Sequence, residues 1–130
     1  MHKLISYMSK NKGFSLILAI VWTLIILVGC STPGRDLPSV HLFDQFDKVV
    51  HFVFFFIFFI LWKFNLLGYK AGSIIIIIFA VLYGFGLEWY QLNFVAGRSF
   101  DIWDGVADAV GGVAGFLFWS IIQKNGYERV

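Results

Sequence analysis

Titratable side chains recur at close spacing in three stretches of this chain: Asp47, Lys48 and His51; Glu88 and Gln91; and Arg98, Asp101, Asp104 and Asp108. An imidazole changes charge near neutral pH, a guanidinium forks onto phosphate or carboxylate, and grouped carboxylates pass protons or hold a cation. Two chemistries follow from these types. In one, Arg98 and Lys48 grip an anion while His51, with Glu88 or Asp104, exchanges protons. In the other, Asp47, His51, Glu88, Asp104 and Asp108 hold a divalent cation such as Mg, Ca or Mn, and the single imidazole widens the choice of metal. Either arrangement could support hydrolysis or transfer on a lipid-linked phosphate. A third reading is purely structural: a network of ion pairs and hydrogen bonds that fixes helix packing, with Arg98 and Lys48 neutralising the acids. No nucleophile stands out, since Ser99 beside Arg98 is an ordinary loop residue, and a binding role is preferred to catalysis.

The elements that carry these residues are apolar. Hydrophobic residues make up 59% of the 130 and charged residues only 14%, with a mean hydropathy of +0.81, which is the composition of an integral membrane protein. The net charge of +2 is too small and dispersed to suggest a nucleic-acid partner. One domain is expected, an all-α bundle of four transmembrane helices over about 13–30, 47–67, 71–91 and 101–122, each near the roughly 20 residues that span a bilayer. Five successive isoleucines, Ile74 to Ile78, sit in the third; lipid leaves their backbone no way to satisfy its hydrogen bonds except a helix. The stretch 31–46, with Pro33, Gly34 and Pro38, reads as a loop, as does 92–100 with Gly97.

Charge is distributed unevenly between the two ends of these spans. Asp36, Asp44, Asp47, Glu88, Asp101, Asp104 and Asp108 fall at one end, and Lys3, Lys10, Lys12, Lys63, Lys70, Lys124 and Arg129 at the other. Because basic residues close to a span stay in the cytoplasm, both termini are expected there and the acids outside. At about 1.5 Å of rise per residue, His51 lies about 6 Å inside its helix, Glu88 about 5 Å from the end of its own, and Asp108 about 10 Å below Asp101. Spacings of three and four put Asp47 with His51, Gly84 with Glu88 and Gln91, and Asp101 with Asp104 and Asp108, each set on one stripe. A charge facing lipid is costly, so the stripes should turn toward one another. Below the acids, Ala107, Gly111 and Gly115 repeat every fourth residue with Gly112 beside them, a surface for close helix packing within the chain or for self-association.

In order and wording these features resemble the VanZ-like family of small bacterial membrane proteins, named after a teicoplanin-resistance protein. The resemblance is carried by Asp47-Lys48-Val49-Val50-His51-Phe52, by Glu88-Trp89-Tyr90-Gln91, by Gly97-Arg98-Ser99-Phe100-Asp101-Ile102-Trp103-Asp104, and by Ala107-Asp108 with the glycines that follow. Family members commonly have Asn where this chain has Asp108, which adds a carboxylate. The resemblance implies a four-helix protein of the bacterial inner or plasma membrane and cell envelope, and some members lower susceptibility to glycopeptide antibiotics. The resulting expectation is an outward-facing polar site, partnered by the bilayer, that binds a lipid-linked or cell-wall ligand. The alternatives are a membrane-embedded hydrolase or transferase on lipid phosphates and a proton- or ion-coupled transporter. Three smaller readings accompany these. Leu27-Val28-Gly29-Cys30 resembles a lipoprotein cleavage site, the sixteen phenylalanines read as lipid-facing, and Trp62, Trp89 and Trp103 read as interfacial anchors.

Overall fold

A computed structural model of the chain describes residues 2–33, 45–69 and 71–123, with side chains from Ser6 onward. Arg35, Asp36, Asp44, Lys70, Lys124, Glu128 and Arg129 lie outside the described residues. Five helices make up most of the rest: α1 (His2–Lys10), α2 (Lys12–Ser31), α3 (Phe46–Asn65), α4 (Gly72–Phe94) and α5 (Ile102–Ile122). No strand occurs among the described residues. Helices α2, α4 and α5 are long and apolar enough to cross a membrane, and the chain is a membrane protein. Helix α3 matches α2 in length, with Asp47 in its first turn and Lys63 in its last.

The helix ends differ from the expected ones for local reasons. The basic amino-terminal stretch forms its own helix, α1, which was not foreseen. It breaks from α2 at Asn11, where ψ turns to 66° and the side-chain amide donates to the Tyr7 carbonyl at 3.0 Å, an Asn habit that competes with helix continuation. Helix α3 stops at Asn65, short of 67, as the Leu66 N–H tightens onto the Lys63 carbonyl. Helix α4 runs past Gln91 to Phe94 and closes when the Val95 N–H bonds Gln91. Asp101 is the N-cap of α5, its carboxylate accepting from the Trp103 N–H at 2.8 Å, which satisfies one of the free donors of the first turn.

Helix α3 is central. Its most extensive interface is with α5, and it also touches α2, α4 and α1. The α3–α5 seam runs along the glycines: a Cβ on Gly111 would collide with the Phe52 carbonyl, and one on Gly115 would stand 2.8 Å from Phe59 Cβ and 3.0 Å from the Phe56 carbonyl. The Gly111 to Gly115 spacing therefore packs helices within one chain, while Ala107 is only half-buried. Phe55, Phe58 and Phe59 are wholly enclosed, which corrects, for these three, the expectation that the phenylalanines face lipid. Because α3 is covered on several sides, its aromatic rings form the core, stacking with Tyr83 and Phe79 of α4. The outer faces carry aliphatic residues such as Ile17 and Leu24, Ile74 and Ile78, Val110 and Leu117, together with Phe14, Phe79, Phe94, Phe100 and Phe118.

Polar contacts at mid-bundle stitch α2 to its neighbours. Trp22 Nε1 donates to the Phe54 carbonyl at 2.9 Å, Trp62 Nε1 to Thr23 Oγ1 at 3.1 Å, and Tyr83 Oη to the Thr23 carbonyl at 2.8 Å. Trp62 is thus a helix-to-helix donor and half-buried, whereas Trp89 and Trp103 are exposed as interfacial anchors would be.

Candidate functional site

At one end of the bundle the first turns of α3 and α5 meet the last turns of α4. Lys48 sits in the middle of the uppermost layer. Its ammonium donates to Asp101 Oδ2 at 2.8 Å, to Asp104 Oδ1 at 3.0 Å and to Asp47 Oδ2 at 3.3 Å. Three carboxylates occupy the three donors of the ammonium. Lys48 is therefore committed within the chain rather than free to grip an anion, as one sequence reading had it. The same contact holds the Asp101 carboxyl below the usual carboxylate range, its hydrogen bond from Lys48 outweighing desolvation.

One turn deeper lies a dyad. His51 Nδ1 is 2.9 Å from Asp108 Oδ1, both side chains buried. With Nδ1 protonated and donating to that carboxylate, the other ring nitrogen, Nε2, stands 3.8 Å from Asp104 Oδ2. Asp104 thus links the layers, one oxygen on Lys48 and the other facing His51. The contact is tight on the α4 side, where a Cβ on Gly84 would fall 2.7 Å from Asp108 Oδ2. No larger residue would let the carboxylate in.

From α4, Glu88 reaches across with no exposed surface, and its Oε2 accepts the Asp101 backbone N–H at 2.9 Å. Gln91 donates to the Cys30 carbonyl of α2 at 3.0 Å. Arg98 follows Gly97, whose φ of 73° lies in the left-handed region that favours glycine, and its backbone N–H closes a turn onto Val95. The structure brings Lys48, Glu88, Asp101 and Asp104 into one hydrogen-bonded assembly with Asp47 at its exposed rim, and sets the His51–Asp108 pair beneath it, 3.8 Å from Asp104.

Among the described residues, three polar atoms of this end are buried without a hydrogen-bond partner: Glu88 Oε1, Asp108 Oδ2 and Arg98 Nε. Five carboxylates, Asp47, Glu88, Asp101, Asp104 and Asp108, gather at this end, and Lys48 is the cation paired with them, so the cluster is acidic. Among the described residues, two trios have ligand atoms within 4.8 Å of one another, His51 with Glu88 and Asp104, and Asp47 with Asp101 and Asp104. The Lys48 ammonium already fills the second.

Sequence reasoning did not foresee Cys30 at the cluster. It is buried in the last turn of α2, in electrostatic range of Asp108, Arg98, Glu88 and Asp104, with no signal beyond its place at the end of a span. The pairing of Tyr90 Oη with Ser31, a long contact of 3.4 Å, was equally unforeseen.

The profile of the VanZ/LLP1 family matches residues 5–123, which takes in every helix that builds this cluster. The chain belongs to the VanZ/LLP1 family. Among curated proteins, an uncharacterized protein of Schizosaccharomyces pombe, C11E3.10, is 33% identical over 86 residues, covering 65% of this chain and 52% of that protein. The chain thus spans about half the length of the curated relative it matches. A fungal relative also means that likeness to VanZ/LLP1 carries no bacterial origin with it. No solved structure matches the chain.

Proposed function

We propose that this VanZ/LLP1 protein is a four-span bundle, α3 being the fourth span, with both termini cytoplasmic and the acidic end of the helices on the outer face. There it binds the polar part of a lipid-linked or cell-wall-type ligand. The supporting observation is what the cluster leaves unpaired. A network that served packing alone would satisfy its buried members, because each orphaned polar atom costs about 1–3 kcal/mol. Here a buried acceptor, Glu88 Oε1, and a buried donor, Arg98 Nε, both stand unpartnered. A ligand offering an anionic oxygen to Arg98 and a donor or cation to Glu88 answers both, and a phosphate headgroup with its counterion has that chemistry. Any influence on glycopeptide susceptibility would follow from holding such a ligand at the membrane surface.

The test uses purified protein in phosphatidylcholine nanodiscs and a fluorescent polyprenyl phosphate. Saturable binding that weakens at least tenfold in Arg98→Gln is expected; binding that does not saturate, or is equal in the variant, refutes the reading. For orientation, single cysteines at Ser99 and Gly68 in a Cys30→Ser background should react with an impermeant reagent in intact cells at Ser99 only. The reverse pattern would invert the topology.

A hydrolase or transferase is the second reading, favoured by the His51–Asp108 dyad, which leaves Nε2 as a candidate base. It requires phosphate release from polyprenyl phosphate that disappears in His51→Ala. A transporter has less support, since the half of the bundle opposite the cluster contains no Asp or Glu between residues 12 and 22, 55 and 82, or 112 and 122.

A further inference from the structure

We propose that His51, Glu88 and Asp104 form a divalent-cation site, with Asp108 as the outer partner that fixes the imidazole. The inference deepens the ligand-site reading above and rests on it in one respect: the cation would be what an anionic headgroup meets in an otherwise acidic pocket.

Each of the three residues has one polar atom anchored by the protein and one left over. His51 Nδ1 is held by Asp108 Oδ1 at 2.9 Å, leaving Nε2. Asp104 Oδ1 is held by Lys48 at 3.0 Å, leaving Oδ2, which stands 3.8 Å from that Nε2. Glu88 Oε2 is held by the Asp101 N–H at 2.9 Å, leaving Oε1, buried with no partner. Ligand atoms of the trio lie within 4.8 Å of one another. A cation with metal–ligand bonds of about 2.1 Å sets its ligands about 3–4 Å apart, so rotamer adjustments of an ångström would close the trio. An imidazole that donates its second nitrogen to a carboxylate is the usual support for a metal-bound histidine, because it fixes the tautomer and raises ligand basicity.

Charge argues in the same direction. Lys48 compensates the upper carboxylates and leaves Glu88 and Asp108 without a cationic neighbour in hydrogen-bond contact other than His51. One imidazole with two carboxylates suits Mn²⁺ or Zn²⁺, and Zn²⁺ should bind more tightly by the usual order of divalent affinities. Three protein ligands would keep coordination positions open, as a site that receives a second ligand must.

The experiment titrates Mn²⁺ alone into the purified full chain in detergent, followed by electron paramagnetic resonance. One saturable Mn²⁺ per chain is expected, displaced by Zn²⁺, with nitrogen modulation in the pulsed spectrum that is lost in His51→Gln. Glu88→Gln keeps an acceptor for the Asp101 N–H but should abolish saturable binding. Asp108→Asn should weaken it by about 10–100-fold. Unchanged elution on size exclusion shows that the variants are folded. No saturable Mn²⁺ or Zn²⁺ binding, or binding unaltered in folded Glu88→Gln, overturns the proposal. Because this titration contains no phosphate lipid, its failure is distinct from that of the ligand reading. Polyprenyl phosphate that still binds with EDTA present would remove the cation and keep the ligand, whereas Mn²⁺ bound without any affinity for the lipid would do the opposite.

Discussion

The two halves of the α3–α5 interface are built on opposite principles. In one, Gly111 and Gly115 lie flush on the backbone and rings of α3 around Phe52, Phe56 and Phe59, and contact is made by leaving side chains out. In the other, a turn or two away on the same helices, Lys48 and His51 reach across to Asp101, Asp104 and Asp108, and contact is made by charge. With α3 a span as proposed, there is little hydrophobic drive between helices in lipid, so close van der Waals packing must hold the first half. The second is held by charged groups that would be costly in lipid and are therefore confined to the interior. The glycine half brings the helices near enough for charged side chains to meet at hydrogen-bonding distance, and it contains nothing that could do chemistry. The charged half contains all the candidate chemistry and is incompletely satisfied.

The comparison can be broken at several points. The largest effect is expected from Asp108→Ala, which strips the buried His51 of its partner; removing one member of a buried pair costs about 3–5 kcal/mol, readable as a lowered unfolding midpoint in detergent. A loss under 1 kcal/mol would mean that the dyad does not hold the helices together. In the other half, Gly111→Ala places a methyl against the Phe52 carbonyl, a backbone atom that cannot step aside. About 2–3 kcal/mol should be lost, while Gly86→Ala, with open space around it, should be neutral or slightly stabilising by the same measurement. Equal effects at the two glycines would dismiss the seam. Phe59→Ala should cost about 2 kcal/mol, less than in a soluble core, because the unfolded segment stays in lipid and only the cavity is charged to it. A larger loss would show a solvent-driven contribution that this picture lacks.

The smallest effect sharpens the charged half. Asp101 titrates below its ordinary value in the folded chain because Lys48 donates to it. A depressed carboxyl contributes stability above the unfolded value, near pH 4, and loses it as pH falls through the lowered folded value. Asp101→Asn, which retains a capping side chain, should therefore be slightly less stable than the parent at neutral pH and converge with it in acid. A difference that persists unchanged to pH 2 would mean that the Lys48 contact contributes nothing through this carboxylate.

Much of this was legible before any coordinates. The polar stripes Glu88–Gln91 and Asp104–Asp108 turn inward because helical periodicity assigns residues three and four apart to one face, and a membrane penalises the other choice. Composition alone required apolar helices. Partner identities were not legible. Lys48 read either as an anion grip or as a counter-ion to the acids, and only its contacts decide for the second: it is enclosed by Asp47, Asp101 and Asp104, the last two more than fifty residues away. Phe55, Phe58, Phe59 and Phe64 of α3 read as lipid-facing and are core, because nothing in a uniformly apolar stretch says how many neighbours will cover it. Cys30 and Thr23 gave no warning of their places in the interior.

Sequence by itself determined which residues share a face and which end of each helix is charged, because those follow from a fixed rise and turn per residue and from the cost of placing charge in lipid. The tertiary structure decided how the helices are rotated and offset against one another. That choice rests on shape, on Gly111 and Gly84 admitting a carbonyl and a carboxylate where any side chain would have kept them apart, and it alone determines which acid meets which base.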